Sequence, residues 1–469
     1  MVFSGIPFLY FFMPLFFLLY YLSPLRWKNT VIVLFSFIFY GWQEGHFVLL
    51  MIFIILLGYI LSILLEKAKN LYFKKIIFYS VVMVYLLILG YFKYSNFFLE
   101  NLKLLFPLEE GILSVILPVG ISFYIFQMMS YNIDVYRGNC RAQKNIITVA
   151  AYISMFPQLV AGPIVRYKDI ERQLISRNHT ISMIYQGIKR FTIGLSKKVL
   201  LANQLGECCN MFRERGENSI LFFWIYGIAF MLHIYYDFSA YSDMAIGLAK
   251  MMGFKLMENF DYPYTSKSIT EFWRRWHISL GTWFRDYLYI PLGGNRVDFY
   301  KWIRNILIVW FCTGFWHGAS WNFICWGLYF AVFLVAEKLF LKKEQEEKKL
   351  KIFFFHCYVL FFVMISFLLF DAITLSEARR NILGLFGVGC NTFLGKESIF
   401  YLKNYGIIFL ISFLGASPIG KRMLQKGIKM VTRKKDTFWI EFLGIIAMLL
   451  LSTAYLVDGS FNPFLYFRF

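Results

Sequence analysis

A succession of apolar stretches dictates what this chain can fold into. They fall at 6–23, 30–43, 47–65, 76–92, 112–133, 146–162, 219–236, 302–316, 320–340, 352–370, 399–415 and 437–457. A hydrocarbon core about 30 Å thick takes about 20 apolar residues to cross as a helix. The expected fold is therefore an all-α polytopic membrane protein. Composition points the same way, with 59% hydrophobic and 16% charged residues; soluble domains carry about 45–50% and about 25%. Several stretches are short or broken by Gly and Pro, as at Leu117-Pro118-Val119-Gly120 and from Phe156-Pro157 to Gly162-Pro163. Irregular backbone at membrane depth needs protein or a water-filled cavity around it, so re-entrant pieces are expected there.

The formal charge of +20 raises nucleic acid as a partner. Its distribution argues against that class, because lysine and arginine come in short clusters between apolar runs, the positive-inside pattern. On this rule Lys67, Lys69, Lys74 and Lys75 are cytoplasmic. So are Arg137, Arg141 and Lys144, then Lys189, Arg190, Lys197 and Lys198. Lys342, Lys343, Lys348, Lys349 and Lys351 follow, as does the run from Lys421 to Lys435. The Gln43-Glu44-Gly45 hairpin and Glu109-Glu110 belong outside. The stretch 146–162 lies between two basic loops and is read as a dip that returns. Residues 180–205 place Ile184, Ile188, Phe191, Leu195 and Val199 at spacings of three and four. That spacing predicts an amphipathic helix on the cytoplasmic surface.

The polar loops are too short for a soluble domain and no repeat is visible. One integral-membrane domain, 1–469, is expected. The seven cysteines show no CxxC or metal-ligand spacing, so neither a disulfide nor a metal is inferred. The N-terminal segment lacks a basic n-region and a small-residue cleavage site and reads as a retained membrane segment.

Two polar, aromatic-rich islands interrupt this background: Glu271 to Arg296, EFWRRWHISLGTWFRDYLYIPLGGNR, and Thr313 to Trp326, TGFWHGASWNFICW. Each sets a histidine directly after a tryptophan, and His277 and His317 lie 40 residues apart. Ionisable groups are costly inside a bilayer and mark functional sites there. An interfacial anchor accounts for Arg beside Trp, but not for the histidine or for Asp286 next to Arg285. If the first island is helical, Trp273, His277 and Leu280 share a face, while Arg274 and Arg275 point elsewhere. His317 is flanked by Gly314, Gly318, Ala319 and Ser320, which allow close approach, while Trp316, Trp321, Asn322 and Trp326 could wall a pocket.

Of the other histidines, His46 and His179 read as surface residues and His356 as a packing residue. His233 is four residues before Asp237, a helical pairing distance, where local packing and a site are equally good readings. HExxH and GxSxG are absent, leaving His277 and His317 as general acid–base groups. A histidine near its ordinary pKa takes a proton from a hydroxyl at neutral pH. Attack of that hydroxyl on a thioester makes an oxyanion that Asn322, indole N–H groups or backbone amides could stabilise.

The motifs FWRRWHISLGTWFRDYLYIPLGGNR, TGFWHGASWNFICWG, DFSAYSDMAIGLAKMMGF, LPVGISFYIFQMMSYNIDVYRG and FPQLVAGPIVR resemble the membrane-bound O-acyltransferase superfamily. The branch they resemble contains the membrane component of bacterial alginate O-acetylation; MVFSGIPFLYFFMPL and the ending NPFLYFRF are similar to it as well. The resemblance implies a ring of roughly 10–12 transmembrane helices around a central tunnel. It implies His317, in WHG, as the catalytic base and His277, in RWH, as its support. It further implies cytoplasmic acetyl-CoA as the acyl donor and no tightly bound cofactor. Acyl groups would pass outward, in the bacterial cytoplasmic membrane, to an SGNH-type partner that acetylates a polysaccharide or cell-wall polymer. Trp273, Trp276, Arg285, Asp286, Trp316 and Asn322 are the expected substrate contacts. Arg274 and Arg275, with Arg285, are the expected donor-phosphate contacts. Teichoic-acid D-alanylation from a carrier-protein thioester is an alternative within the superfamily; a polysaccharide or lipid transporter is the alternative from another class. Arg304 and Lys338, both expected near the cytoplasm, put His317 at the outer end of a hairpin.

Overall fold

The computed structural model describes residues 1–106, 115–215, 217–341, 349–431 and 438–458. Helices dominate; the extended pairing among the described residues is a lone bridge between Ser219 and Thr392. Seven helices among them are long and apolar enough to cross a membrane. They are Phe47–Lys67, Leu71–Lys103, Ile220–Met251, Trp321–Phe340, Lys349–Asp371, Lys396–Gly415 and Phe438–Val457. The protein is an all-α, multi-pass membrane protein. The expectations for Glu109-Glu110, Lys342, Lys343 and Lys348, Arg433 to Lys435, and NPFLYFRF lie outside the described residues.

The chain divides into two compact units, one of Met1–Phe191 with Ser242–Met257, the other of Thr192–Tyr241 with Glu258–Phe469. In the first, helix Ile121–Arg137 is buried along nearly its whole length, polar residues included. Asn132 donates to the Gly58 carbonyl at 2.9 Å and accepts from the Tyr85 hydroxyl at 2.8 Å. Such a helix needs no lipid-facing stripe, which is why its hydropathy is diluted. It begins at Ile121 rather than near 112. Gly120 ahead of it has φ 75°, and a Cβ there would lie 2.6 Å from the Leu159 carbonyl oxygen. Helix Ile146–Ser154, capped by the Asn145 side chain, has nine residues. At 1.5 Å per residue that is roughly 13 Å, less than half a hydrocarbon core. The short helix Phe156–Leu159 follows, and the chain stays buried through Val165.

In the second unit a large aromatic core joins Phe272, Trp276, Trp326, Phe330, Phe367 and their neighbours. Of the stripe expected over 180–205, Phe191, Leu195 and Val199 are buried, but Ile184 is only partly buried, Ile188 is exposed, and Lys198 is not on a surface. It is 1% exposed and donates to Asp237 at 2.6 Å. The helix has a π turn at Lys197–Ala202. A π turn takes an extra residue, so side chains in and beyond it leave the 3.6-residue register. Asp237 therefore meets Lys198, and His233 sets its Nδ1 2.8 Å from the Ala202 carbonyl oxygen rather than pairing with Asp237. His179, in the first unit, is half-buried rather than free at the surface: its Nε2 is 2.9 Å from the Tyr20 hydroxyl and 3.1 Å from the Met252 carbonyl.

Candidate active site

The second island folds as the turn of a hairpin between helices Phe299–His317 and Trp321–Phe340. Glycine sets how closely they cross. A Cβ on Gly314 would lie 2.2 Å from the Phe323 carbonyl oxygen, and one on Gly327 2.3 Å from that of Trp310. Close crossings of this kind are built from small residues in membrane bundles. At the far end, the Lys338 ammonium sits 3.7 Å from the centroid of the Trp302 ring, so both arms bring their basic ends together. His317 is the last residue of the first arm, at the turn, as the placement of Arg304 and Lys338 predicts. Its ring is buried against Trp326, Trp316 and Phe370, with centroids 5.0, 5.1 and 5.4 Å away.

The first island is not one continuous helix. Helix Ile269–Arg275 is capped by the Ser268 side chain, and Ile278–Phe284 is a separate helix. Between them His277 has φ 45° and ψ 52°. A non-glycine residue in this left-handed region costs about 1–3 kcal/mol and persists only where its surroundings fix it. Asn259 does so here. Its carbonyl accepts from the Ile278 N–H at 3.0 Å, and its Oδ1 accepts from the Ser279 N–H at 3.2 Å and the Ser279 hydroxyl at 2.9 Å. The same Oδ1 is 3.2 Å from His277 Nδ1. Phe238 meets the imidazole edge-on, at 4.7 Å and 90°. Full burial pushes the His277 pKa down to about 3, because the charged form loses its hydration; the ring is neutral at pH 7.

Bent this way, the two islands meet. The rings of His277 and His317 are 6.5 Å apart, centroid to centroid, with Trp316 6.1 Å from His277. His277, Trp273, Arg274, Leu280 and Arg285 line a cavity of about 1320 Å³ that extends along the hairpin from Trp302 and Lys338 to Thr313. Trp302 and Thr313 are eleven helical steps apart, roughly 16 Å of rise. Trp273, His277 and Leu280 thus share the cavity wall, although a helix break rather than a common helical face brings them there.

The remaining expected residues divide. Arg274, expected to point away from Trp273 and His277, is exposed and on the same wall because the helix ends at Arg275, whereas Arg275 does turn away, to Glu271 at 2.9 Å and Asp261 at 3.2 Å. Arg285 pairs with Asp286 at 2.8 Å. Trp276 packs in the aromatic core, 5.5 Å from Phe272 in a stacked arrangement. Asn322 donates its amide to the Ala372 carbonyl, fixing the loop that follows helix Lys349–Asp371. Sequence reasoning missed Asn259, Thr313, Lys267, Lys338 and Glu337. The buried Glu337 accepts from the Ile269 and Thr270 amides and the Thr270 hydroxyl, anchoring the helix that leads to His277. A lone acid inside an apolar stretch is a signal for it; Asn259, in a polar loop, has no comparable signal.

This architecture has known relatives. The model of the MBOAT family, membrane-bound O-acyltransferases, matches residues 141–388, which contain both histidines and most of the cavity wall. The chain belongs to the membrane-bound O-acyltransferase family. It is 40% identical over 395 residues to a probable alginate O-acetylase of Azotobacter vinelandii, covering 83% of this chain and 79% of that one. A probable alginate O-acetylase of Pseudomonas putida is 37% identical over the whole of both chains. A peptidoglycan O-acetyltransferase of Helicobacter pylori is 28% identical over all of this chain and 98% of its own. The protein is an O-acyltransferase of the membrane.

Proposed function

We propose that this acyltransferase takes an acetyl group from cytoplasmic acetyl-CoA and delivers it toward a hydroxyl of an extracytoplasmic polysaccharide or cell-wall polymer. An SGNH-type partner completes delivery, and the enzyme resides in the bacterial cytoplasmic membrane. The observation that carries this reading is the meeting of His277 and His317 beside a cavity whose wall includes Lys267, Arg274, Arg285 and Lys338. A CoA thioester is a polyanion on a long, narrow arm. Cations along the wall suit its phosphates, and a passage roughly 16 Å long suits an arm that must bring a carbonyl to buried histidines. The relatives' names, alginate O-acetylase and peptidoglycan O-acetyltransferase, favour acetyl as the acyl group and a surface glycan as its destination.

In this reading an acceptor hydroxyl oxygen attacks the thioester carbonyl carbon while His317 takes the hydroxyl proton. The C–S bond then breaks, the thiolate receives that proton, and the products are an O-acetyl ester and free CoA thiol. His277 contacts the reacting group as support. The aromatic enclosure of His317 lowers the local dielectric and so strengthens any charge–dipole interaction that forms there.

The test uses purified protein in liposomes with acetyl-labelled acetyl-CoA, scored for release of CoA thiol. Wild type should turn over the thioester and His317→Ala should lose about 100-fold or more, the scale of a missing general base. Absent turnover in wild type, or undiminished turnover in His317→Ala, overturns the proposal.

A further inference from the structure

Asn259 sits at a junction that neither general acid–base chemistry nor the family match assigns a role. It is 1% exposed, in the loop ahead of the first histidine island, and its Oδ1 gathers the contacts of the His277 turn. Which end of its amide faces that turn is fixed by elementary chemistry. The Ser279 backbone N–H can only donate, so the amide atom 3.2 Å from it must be the oxygen. That oxygen can only accept. The ring nitrogen 3.2 Å away, Nδ1 of His277, must then carry the hydrogen between them.

A neutral imidazole holds one N–H. With the hydrogen on Nδ1, Nε2 keeps an unshared lone pair, and Nε2 is buried without a hydrogen-bond partner among the described residues. A buried acceptor left unmatched is destabilising, so the site favours a ligand that supplies a hydrogen. His277 itself lies on the cavity wall. We propose that Asn259 is a positioning residue that holds His277 as the Nδ1–H tautomer, so that Nε2 accepts a hydrogen bond from an O–H or N–H group of the substrate. The inference rests on the acyl-transfer reading for the identity of that substrate, but not for the tautomer.

It has a chemical consequence. Fixed this way, His277 cannot donate to the thioester carbonyl or its oxyanion, and the oxyanion's donors must come from elsewhere. His277 instead aligns an acceptor hydroxyl or an amide N–H of the donor's arm.

Protein labelled with ¹⁵N-histidine, purified in detergent, tests this directly, with His277→Gln identifying the His277 resonances by their loss. The expected wild-type spectrum shows a protonated Nδ1 and a bare Nε2. Asn259→Leu should move the ring toward the Nε2–H form and lower kcat for CoA-thiol release about tenfold, with KM for acetyl-CoA changing by less than about threefold. Asn259→Asp, whose carboxylate also accepts from Nδ1–H, should keep the wild-type tautomer and restore most of kcat. An Nε2–H form in wild type or in Asn259→Asp, or an unchanged tautomer in Asn259→Leu, overturns the assignment. A spectrum as expected in protein that releases no CoA supports the role of Asn259 and refutes the acyl-transfer reading instead.

Discussion

Single side chains divide into those aimed at the cavity and those spent on holding the backbone. The three arginines of the first island show this most clearly, since sequence alone offers them as equivalent donor contacts. Arg274 lines the cavity and Arg285 does so while pairing with Asp286, but Arg275 spans Glu271 and Asp261. Arg274→Glu and Arg285→Glu are therefore expected to weaken acetyl-CoA binding about tenfold each, measured by equilibrium binding to purified protein. Arg275→Glu should leave affinity within about twofold. Equal losses from all three would show that the donor runs elsewhere. His277 and His317 could be singled out as candidates because titratable groups stand out against an apolar chain. The left-handed turn at His277 was not, because a single φ depends on Asn259, 18 positions earlier.

Among elements, the hairpin of Phe299–His317 and Trp321–Phe340 determines where His317 stands. Its crossing leaves no room for a side chain at Gly314 or Gly327, and the obstructing atoms are backbone carbonyls, which cannot swing aside. Gly327→Ala is expected to destabilise the protein by about 1–3 kcal/mol, the usual cost of overpacking. A thermal-unfolding measurement in detergent should show a lowered midpoint together with reduced thioester turnover. A variant with unchanged midpoint and activity would mean the arms are not held at this crossing. Small residues around WHG predicted close approach but not its partner. Elsewhere hydropathy located helices well and their ends poorly. Hydropathy starts a span at 112 where the helix begins only at Ile121, after Gly120, and the amphipathic pattern of 180–205 could not reveal that a π turn buries Lys198 against Asp237.

For the molecule as a whole, the membrane reading follows from composition and run length, and the seven long apolar helices agree with it. What composition cannot supply is the convergence of two islands 40 residues apart in sequence, which depends on tertiary packing of aromatic side chains around them. A double-mutant cycle in the thioester-turnover assay tests whether that convergence makes one site. If His277 and His317 act on one reacting group, each alanine variant loses turnover, His317→Ala more than His277→Ala. The double variant should then be no slower than His317→Ala by more than about threefold, since residues that work as a unit are far from additive. Losses that multiply, or a His277→Ala variant as fast as wild type, would contradict the shared site.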